Sequence, residues 1–182
     1  NSFFPIPKFL MAPSFGLDIS DESLKFVELI PGRNNIKLGR YGERKIPPGI
    51  IESGKIKDPQ QLEKVLLSLR KEEGIRFVRV SLPEEQVYLF RLRLDKEGLV
   101  NVREGIELSL EDHIPIPAQD AIFDYELLSE DEQKLEIQVA AIPKNVIENY
   151  LLVFRDSFIS VQSFELEAQA IARAVIKKGD MD

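Results

Sequence analysis

Phe15-Gly16-Leu17-Asp18-Ile19-Ser20, then Asp21-Glu22-Ser23, then Leu24-Lys25-Phe26-Val27-Glu28-Leu29-Ile30 is the stretch that decides the fold. Two apolar, β-prone runs, Ser14 to Ser20 and Leu24 to Ile30, are split by a short polar turn, which is how a hairpin reads. A third run, Ile36 to Ile46, follows Pro31-Gly32, so the region reads as a three-stranded meander. Pro47-Pro48-Gly49 then breaks the chain. Asp58-Pro59-Gln60-Gln61 starts a helix, with Asp58 as N-cap, Pro59 at the first helical position and Gln61 closing a capping box. Leu62, Val65, Leu66 and Leu69 recur at helical spacing until Gly74 ends the helix. That stripe needs a sheet beneath it, and Phe77 to Leu82 supplies a fourth strand with Val78, Val80 and Leu82 on one face.

From Pro83 the pattern restarts as a smaller module. Tyr88, Phe90, Leu92 and Leu94 alternate with Leu89, Arg91 and Arg93, giving a strand with one apolar face and a solvated arginine row on the other. Leu99, Val102, Ile106 and Leu110 follow at helical spacing. After Ile114-Pro115-Ile116-Pro117 come two alternating strands, one with Phe123, Tyr125 and Leu127, the other with Leu135, Ile137 and Val139, joined through a turn at Ser129-Glu130-Asp131-Glu132. The insert therefore reads strand, helix, strand, strand over residues 83–142, and its faces fit only if Tyr88, Phe90, Ile106 and Phe123 or Tyr125 share one cluster. Pro143 opens a helix with Val146, Ile147, Tyr150, Leu151 and Phe154 on one side; Ser160 to Phe164 is a short strand, and Ala168 to Ile176 an alanine-rich helix.

Composition removes whole classes of function. A chain of 182 residues, 43% hydrophobic and 30% charged, has the material for one sizeable core or two small ones. It has no cysteine and a single histidine, His113, so disulfide frameworks, thiolate zinc sites, cysteine nucleophiles and polyhistidine metal sites are excluded. His113 falls at the end of a helix, where it caps or packs. A formal net charge of −7, with basic residues dispersed among acidic ones, argues against nucleic acid as a partner. No apolar run approaches the roughly 20 residues that span a bilayer, so direct membrane insertion is not expected. The carboxylates of Glu111 with Asp112, and of Asp124 with Glu126, read as solvated groups.

At the N-terminus, residues 1–13 form an apolar arm, Phe3-Phe4-Pro5-Ile6-Pro7-Lys8-Phe9-Leu10-Met11, whose prolines forbid a helix. It is expected to be an extended arm that either packs on its own domain or stays mobile as a linker with no fixed site; the sharper expectation is that it docks in a groove of its own or a neighbouring molecule. The chain starts at Asn1 without an initiating Met, which implies processing or an engineered start. Lys177-Lys178-Gly179 closes the last helix with basic residues and a C-cap glycine.

Gly16-Leu17-Asp18-Ile19, the small polar turn, Lys25 and Glu28-Leu29 together resemble the first hairpin of the actin and sugar-kinase superfamily, and most of all that of the PilM family. Three further stretches resemble that family in the same order: Val80-Ser81-Leu82-Pro83, Glu111-Asp112-His113-Ile114-Pro115-Ile116-Pro117, and Phe164 through Ala174. The resemblance implies an α/β (α+β) fold: an actin-like, ribonuclease-H-like domain over residues 14–82 and 143–179, interrupted by the strand-helix-strand-strand insert, as also in the cell-division relative FtsA. It implies a cytoplasmic scaffold at the inner face of the inner membrane in a type IV pilus machine. Its partner would be the cytoplasmic tail of a PilN-like membrane protein, taken in a cleft between the main and inserted subdomains, with self-association a further expectation. The assigned partner-binding residues are Ile114, Pro115, Ile116 and Pro117 with the helix before them.

The alternative reading is the first domain of a nucleotide-binding or polymer-forming actin-like ATPase. In that superfamily the nucleotide lies between two domains, so ATP and magnesium belong to a longer protein; this chain is expected to hold no cofactor and to be no enzyme by itself. Asp18, Ser20 and Lys25 then form the partial cofactor site. Ser20 stands where the family has glycine, and Asp21 and Glu22 put carboxylates where a phosphate cradle avoids them.

Overall fold

The computed structural model describes residues 14–32, 35–167 and 170–171. The arm at 1–13 and nearly all of the helix expected at Ala168 to Ile176 lie outside the described residues, as do Lys177, Lys178 and Gly179. The chain divides into two compact units, residues 1–84 with 150–182, and residues 85–149.

In the first unit, β1 (Phe15–Ile19), β2 (Ser23–Pro31) and β3 (Ile36–Lys45) form the meander. A short hairpin, β4 (Ile51–Glu52) and β5 (Lys55–Ile56), comes next, then α1 (Pro59–Glu73) and β6 (Phe77–Leu82). The strand order β10-β6-β1-β2-β3 includes a last strand, β10, at Ser160–Leu166. β1 pairs antiparallel with β2 and parallel with β6, and β6 pairs parallel with β10. Alternation puts Phe15, Leu17, Ile19, Val78 and Val80 on one face, all at 2% exposure or less, with Leu62, Leu66 and Leu69 of α1 buried as well.

α1 starts and stops where its sequence says. The Asp58 carboxylate accepts the Gln61 backbone N–H at 3.0 Å, and the Gln61 side chain donates to that carboxylate at 2.8 Å instead of reaching the backbone of the cap. Gly74 closes the helix at φ 69°, with its N–H on the Arg70 carbonyl. Arg44 of β3 reaches Glu72 and Glu73 at 2.9 and 2.8 Å, and Arg40 caps the Glu73 carbonyl, which places two cations at the negative end of the helix.

The second unit is a three-stranded antiparallel sheet, β7 (Tyr88–Asp95), β9 (Lys134–Pro143) and β8 (Ala121–Glu130), in the order β7-β9-β8, with α2 (Val102–Ser109) between β7 and β8 in the chain. Ile106, Leu110, Ile114, Phe123, Ile137 and Val139 are buried in one cluster, and Tyr88 and Phe90 pack against it. A Cβ on Gly105 would come within 2.8 Å of Leu99 and 3.0 Å of Leu94, so glycine lets α2 approach β7. The hairpin turn lies at 131–133, and the Asp131 carboxylate accepts the Gln133 and Lys134 amides at 2.8 and 2.7 Å. Tyr125 and Leu127 continue the face of Phe123 yet are 38% and 50% exposed. An eight-residue helix spans only about 12 Å and leaves the outer part of a ten-residue strand uncovered.

The second unit ends at Asn149, inside α3 (Lys144–Asp156), where the sequence pattern sets the boundary of the insert at 142. α3 buries Val146, Tyr150, Val153 and Phe154; Leu151, expected on that stripe, is 44% exposed, because the buried face runs through Val153.

Ile106→Ala should cost about 3 kcal/mol of stability, read as a lower urea midpoint with an unchanged slope. Amides of Gln61 on Asp58 and of Gln133 and Lys134 on Asp131 hold both carboxyls below the usual range. Each then adds stability above its unfolded pKa that is lost as pH falls through the lower folded value. The urea midpoint should fall on acidification below the ordinary carboxylate range, and less steeply in the Asp58→Asn, Asp131→Asn double variant.

Candidate functional site

The sequence points to chemistry at two places in the chain: the first hairpin, with Asp18, Ser20 and Lys25, and the strap Ile114 to Pro117.

Asp18 lies on β1 directly opposite Lys25 of β2 and opposite Ser81 of β6. The register carries on outward to Glu43 of β3 and Glu165 of β10, so one polar rung, Glu43, Lys25, Asp18, Ser81, Glu165, crosses all five strands on one face. Its charges alternate across the first three strands, the arrangement that cross-strand pairs favour. The Ser81 Oγ beside Asp18 is buried without a hydrogen-bond partner. Among the described residues no three His, Cys, Asp or Glu side chains come together as a metal site. The group facing Asp18 from β2 is a cation, which repels a magnesium ion.

Ser20 is committed to its own turn. Its N–H donates to the Ser23 carbonyl at 3.0 Å, and its hydroxyl both donates to that carbonyl and accepts the Ser23 N–H, each at 3.2 Å. Asp21 reaches across to the β4–β5 turn, where its carboxylate accepts the backbone N–H of Ser53 at 2.6 Å and of Gly54 at 3.0 Å. Those two residues have φ of 48° and 72°, which turns successive N–H groups toward one point and makes an anion site of the kind phosphates use. Here the chain's own carboxylate takes it. The buried Tyr150 hydroxyl donates to the Gly54 carbonyl at 3.0 Å and holds the turn from its other side. At this corner the paired Ser53 and Gly54 amides are filled by Asp21, the Ser20 hydroxyl and amide are spent on Ser23, and none of Ser20 to Ser23 has the positive φ of a nest, an arrangement that does not favour phosphate.

The strap in the second unit is built differently. A 3₁₀ turn over Leu110–Asp112 follows α2. Ile114 is 4% exposed inside the unit's own core, Ile116 packs partly against it, and Pro115 and Pro117 are exposed. The Glu111 carboxylate accepts the Ala118 N–H at 3.0 Å and clamps the strap at both ends, and Pro117 sits at φ −58°, ψ 142°, the polyproline conformation. His113 bonds through Nδ1 to the Ser109 carbonyl at 2.9 Å and stacks on Phe90 with ring centroids 4.6 Å apart, so it packs and caps. Arg91 and Arg93 form the exposed row, both near Glu136 at 4.0 and 3.8 Å.

Two features have no local signal in the sequence. The Asp21–Ser53 contact links residues far apart in the chain. Phe158 holds a positive φ of 57°, is 71% exposed as a residue and has the Arg70 guanidinium over its ring, beside a shallow cavity of about 390 Å³ lined by Leu151, Phe154, Arg155 and Val161.

Removing the Asp21 carboxylate as Asp21→Ala should cost about 1–2 kcal/mol, the value of charge-assisted hydrogen bonds whose amide partners are left open. Amide hydrogen exchange at Ser53 and Gly54 should quicken far more than at Gln61. Unchanged protection of those two amides would mean the contact does not hold the turn.

A family model described as type IV pilus assembly protein PilM matches residues 16–179. A chain of a solved structure described as a PilM–PilN type IV pilus biogenesis complex aligns with 89% of this chain at a TM-score of 0.79 and 22% identity. The cytoplasmic domain of EpsL, described as an inner membrane component of the type II secretion system of Vibrio cholerae, aligns with 84% at a TM-score of 0.50 and 14% identity. A Bacteroides thetaiotaomicron protein described as having an actin-like ATPase fold aligns with 89% at a TM-score of 0.43 and 10% identity. This chain spans 49%, 57% and 55% of the lengths of those three, about half of each. None of the curated proteins matches it. Among the described residues no helix is long and apolar enough to cross a membrane.

Proposed function

The chain belongs to the family of the type IV pilus assembly protein PilM, and from that premise we propose that it serves as a cytoplasmic scaffold that captures the tail of a PilN-like inner-membrane protein. The observation that carries this reading is the Asp21 carboxylate seated on the Ser53 and Gly54 amides. A phosphate entering that corner would have to displace an anion that already makes two charge-assisted hydrogen bonds. Protein capture needs no such displacement. The neighbour described as a PilM–PilN complex supports the choice of partner.

The tail meets the strap at Pro115, Ile116 and Pro117. Ile114 positions the strap from beneath and makes no direct contact, since its side chain is spent on the core. A strap clamped by Glu111 and stiffened by two prolines loses little entropy when a second extended chain lies against it. Exposed Glu111, Asp112 and Asp120 surround it, which suits a tail that sets apolar anchors beside Lys or Arg. Cytoplasmic segments next to a membrane span carry that basic bias.

Calorimetry with a synthetic PilN-like tail peptide should give a dissociation constant in the micromolar range. The Pro115→Ser, Pro117→Ser double variant should weaken binding at least fivefold while leaving Tm nearly unchanged. Full affinity in the folded double variant would remove the strap from the site, and no binding by the parent chain would remove the function.

A further inference from the structure

We propose that the segment Phe3 to Leu10 of this chain lies across an apolar stripe on one face of the β2–β3 hairpin. The stripe is set by register. Val27 lies opposite Tyr41, Leu29 opposite Leu38 and Pro31 opposite Ile36. Residues 27, 29 and 31 of β2 share one face by alternation, and their partners share it with them because the register shift between Val27 and Leu29 takes up the extra residue between Tyr41 and Leu38. Six apolar side chains thus stand in three successive rungs, with Leu29 55%, Ile36 69%, Leu38 62% and Tyr41 70% exposed. Single exposed hydrophobics are ordinary, but a contiguous row of this size marks a surface that something covers. On the opposite face of the same hairpin Phe26 is buried and Glu28 pairs with Arg40 at 3.0 Å, which leaves Ile30, 46% exposed, as an exposed apolar side chain of β2 there.

The occupant follows from where the chain enters. Phe15, the first paired residue of β1, lies opposite Glu28, one residue before Leu29. The chain before Ser14 therefore arrives beside the stripe. The segment that arrives carries Phe3, Phe4, Ile6, Phe9 and Leu10, with Lys8 as its one charged side chain. Thirteen extended residues span about 40 Å, far more than the roughly 7 Å from Leu29 to Pro31 along a strand. Pro5 and Pro7 lack N–H groups, so the segment is a poor added strand for the β3 edge, and its contacts are side chain upon side chain over the face. Proline fixes its own φ, so two prolines in eight residues lower the entropy lost on ordering.

The absence of cysteine from the chain makes the test clean. Cysteine is introduced at Phe4, Ile6 or Phe9 together with Leu38→Cys in the full chain, and each pair is oxidised mildly; Ser68→Cys on α1 replaces Leu38→Cys as the control. At least one pair with Leu38→Cys should close within one molecule, seen as a faster-running monomer on a non-reducing gel, while the Ser68→Cys pairs stay open. No closure at Leu38→Cys, or equal closure at Ser68→Cys, would overturn the proposal. Closure only between molecules would overturn it too, by giving the stripe to a second copy.

Discussion

β1 carries the first unit. All five of its residues pair with β2 along one edge and four of them, Phe15 to Asp18, with β6 along the other, and Phe15, Leu17 and Ile19 are each 2% exposed on the core face. The parallel partner is the demanding one, since parallel strands cannot be joined by a tight turn and need a crossover of a dozen residues or more. α1 supplies it between β3 and β6. The parallel pair β6–β10 needs another, and there the chain runs through the whole second unit and α3 before it returns. An insertion at that point leaves the sheet's register intact, because the connection had to leave the sheet in any case.

The same constraint fixes the corner after β1. Antiparallel pairing of β1 with β2 forces the turn Ser20 to Ser23, and Ser20 closes that turn upon itself. Asp21 is then presented to the β4–β5 turn, where Ser53 tolerates φ 48°. A non-glycine residue in that region costs roughly 1 kcal/mol or more; the carboxylate at 2.6 Å and the Tyr150 hydroxyl on the Gly54 carbonyl offset it. A corner built this way is a lock between three elements. Its anion is covalently part of the chain.

The sheet, α1 with both of its caps and the order of elements in the insert were legible because each rests on a strong local period or a cap residue: Asp58 and Gly74 for α1, and the alternation from Tyr88 to Leu94 for β7. The β4–β5 hairpin was not legible. Two-residue strands have no period, and Gly54 alone does not announce a turn that also bends Ser53. The seat of Asp21 was hidden for a second reason, since it depends on a fold already formed. Asp21 and Glu22 read as hostile to phosphate from residue type alone, whereas the amides that Asp21 occupies lie more than 30 residues away. At the strap the apolar letters Ile114 and Ile116 read as surface anchors, whereas packing assigns one to the core and half of the other. Tyr125 and Leu127 show the converse: their alternation is correct, and the helix that should cover them is too short.

The Asp21 carboxylate on the Ser53 and Gly54 amides of the β4–β5 turn and the proposed capture of a peptide by the strap can be tested together. Two-dimensional amide NMR of the labelled chain, titrated separately with magnesium-ATP and with the PilN-like tail peptide, tests both halves at once. If Asp21 keeps its seat and the strap takes the peptide, millimolar magnesium-ATP leaves the amides of Ser20 to Ser23, Ser53 and Gly54 in place, while the peptide shifts Glu111 to Ala118. Saturable shifts of Ser53 and Gly54 at low-micromolar magnesium-ATP, with residues 111–118 unmoved by the peptide, would contradict both.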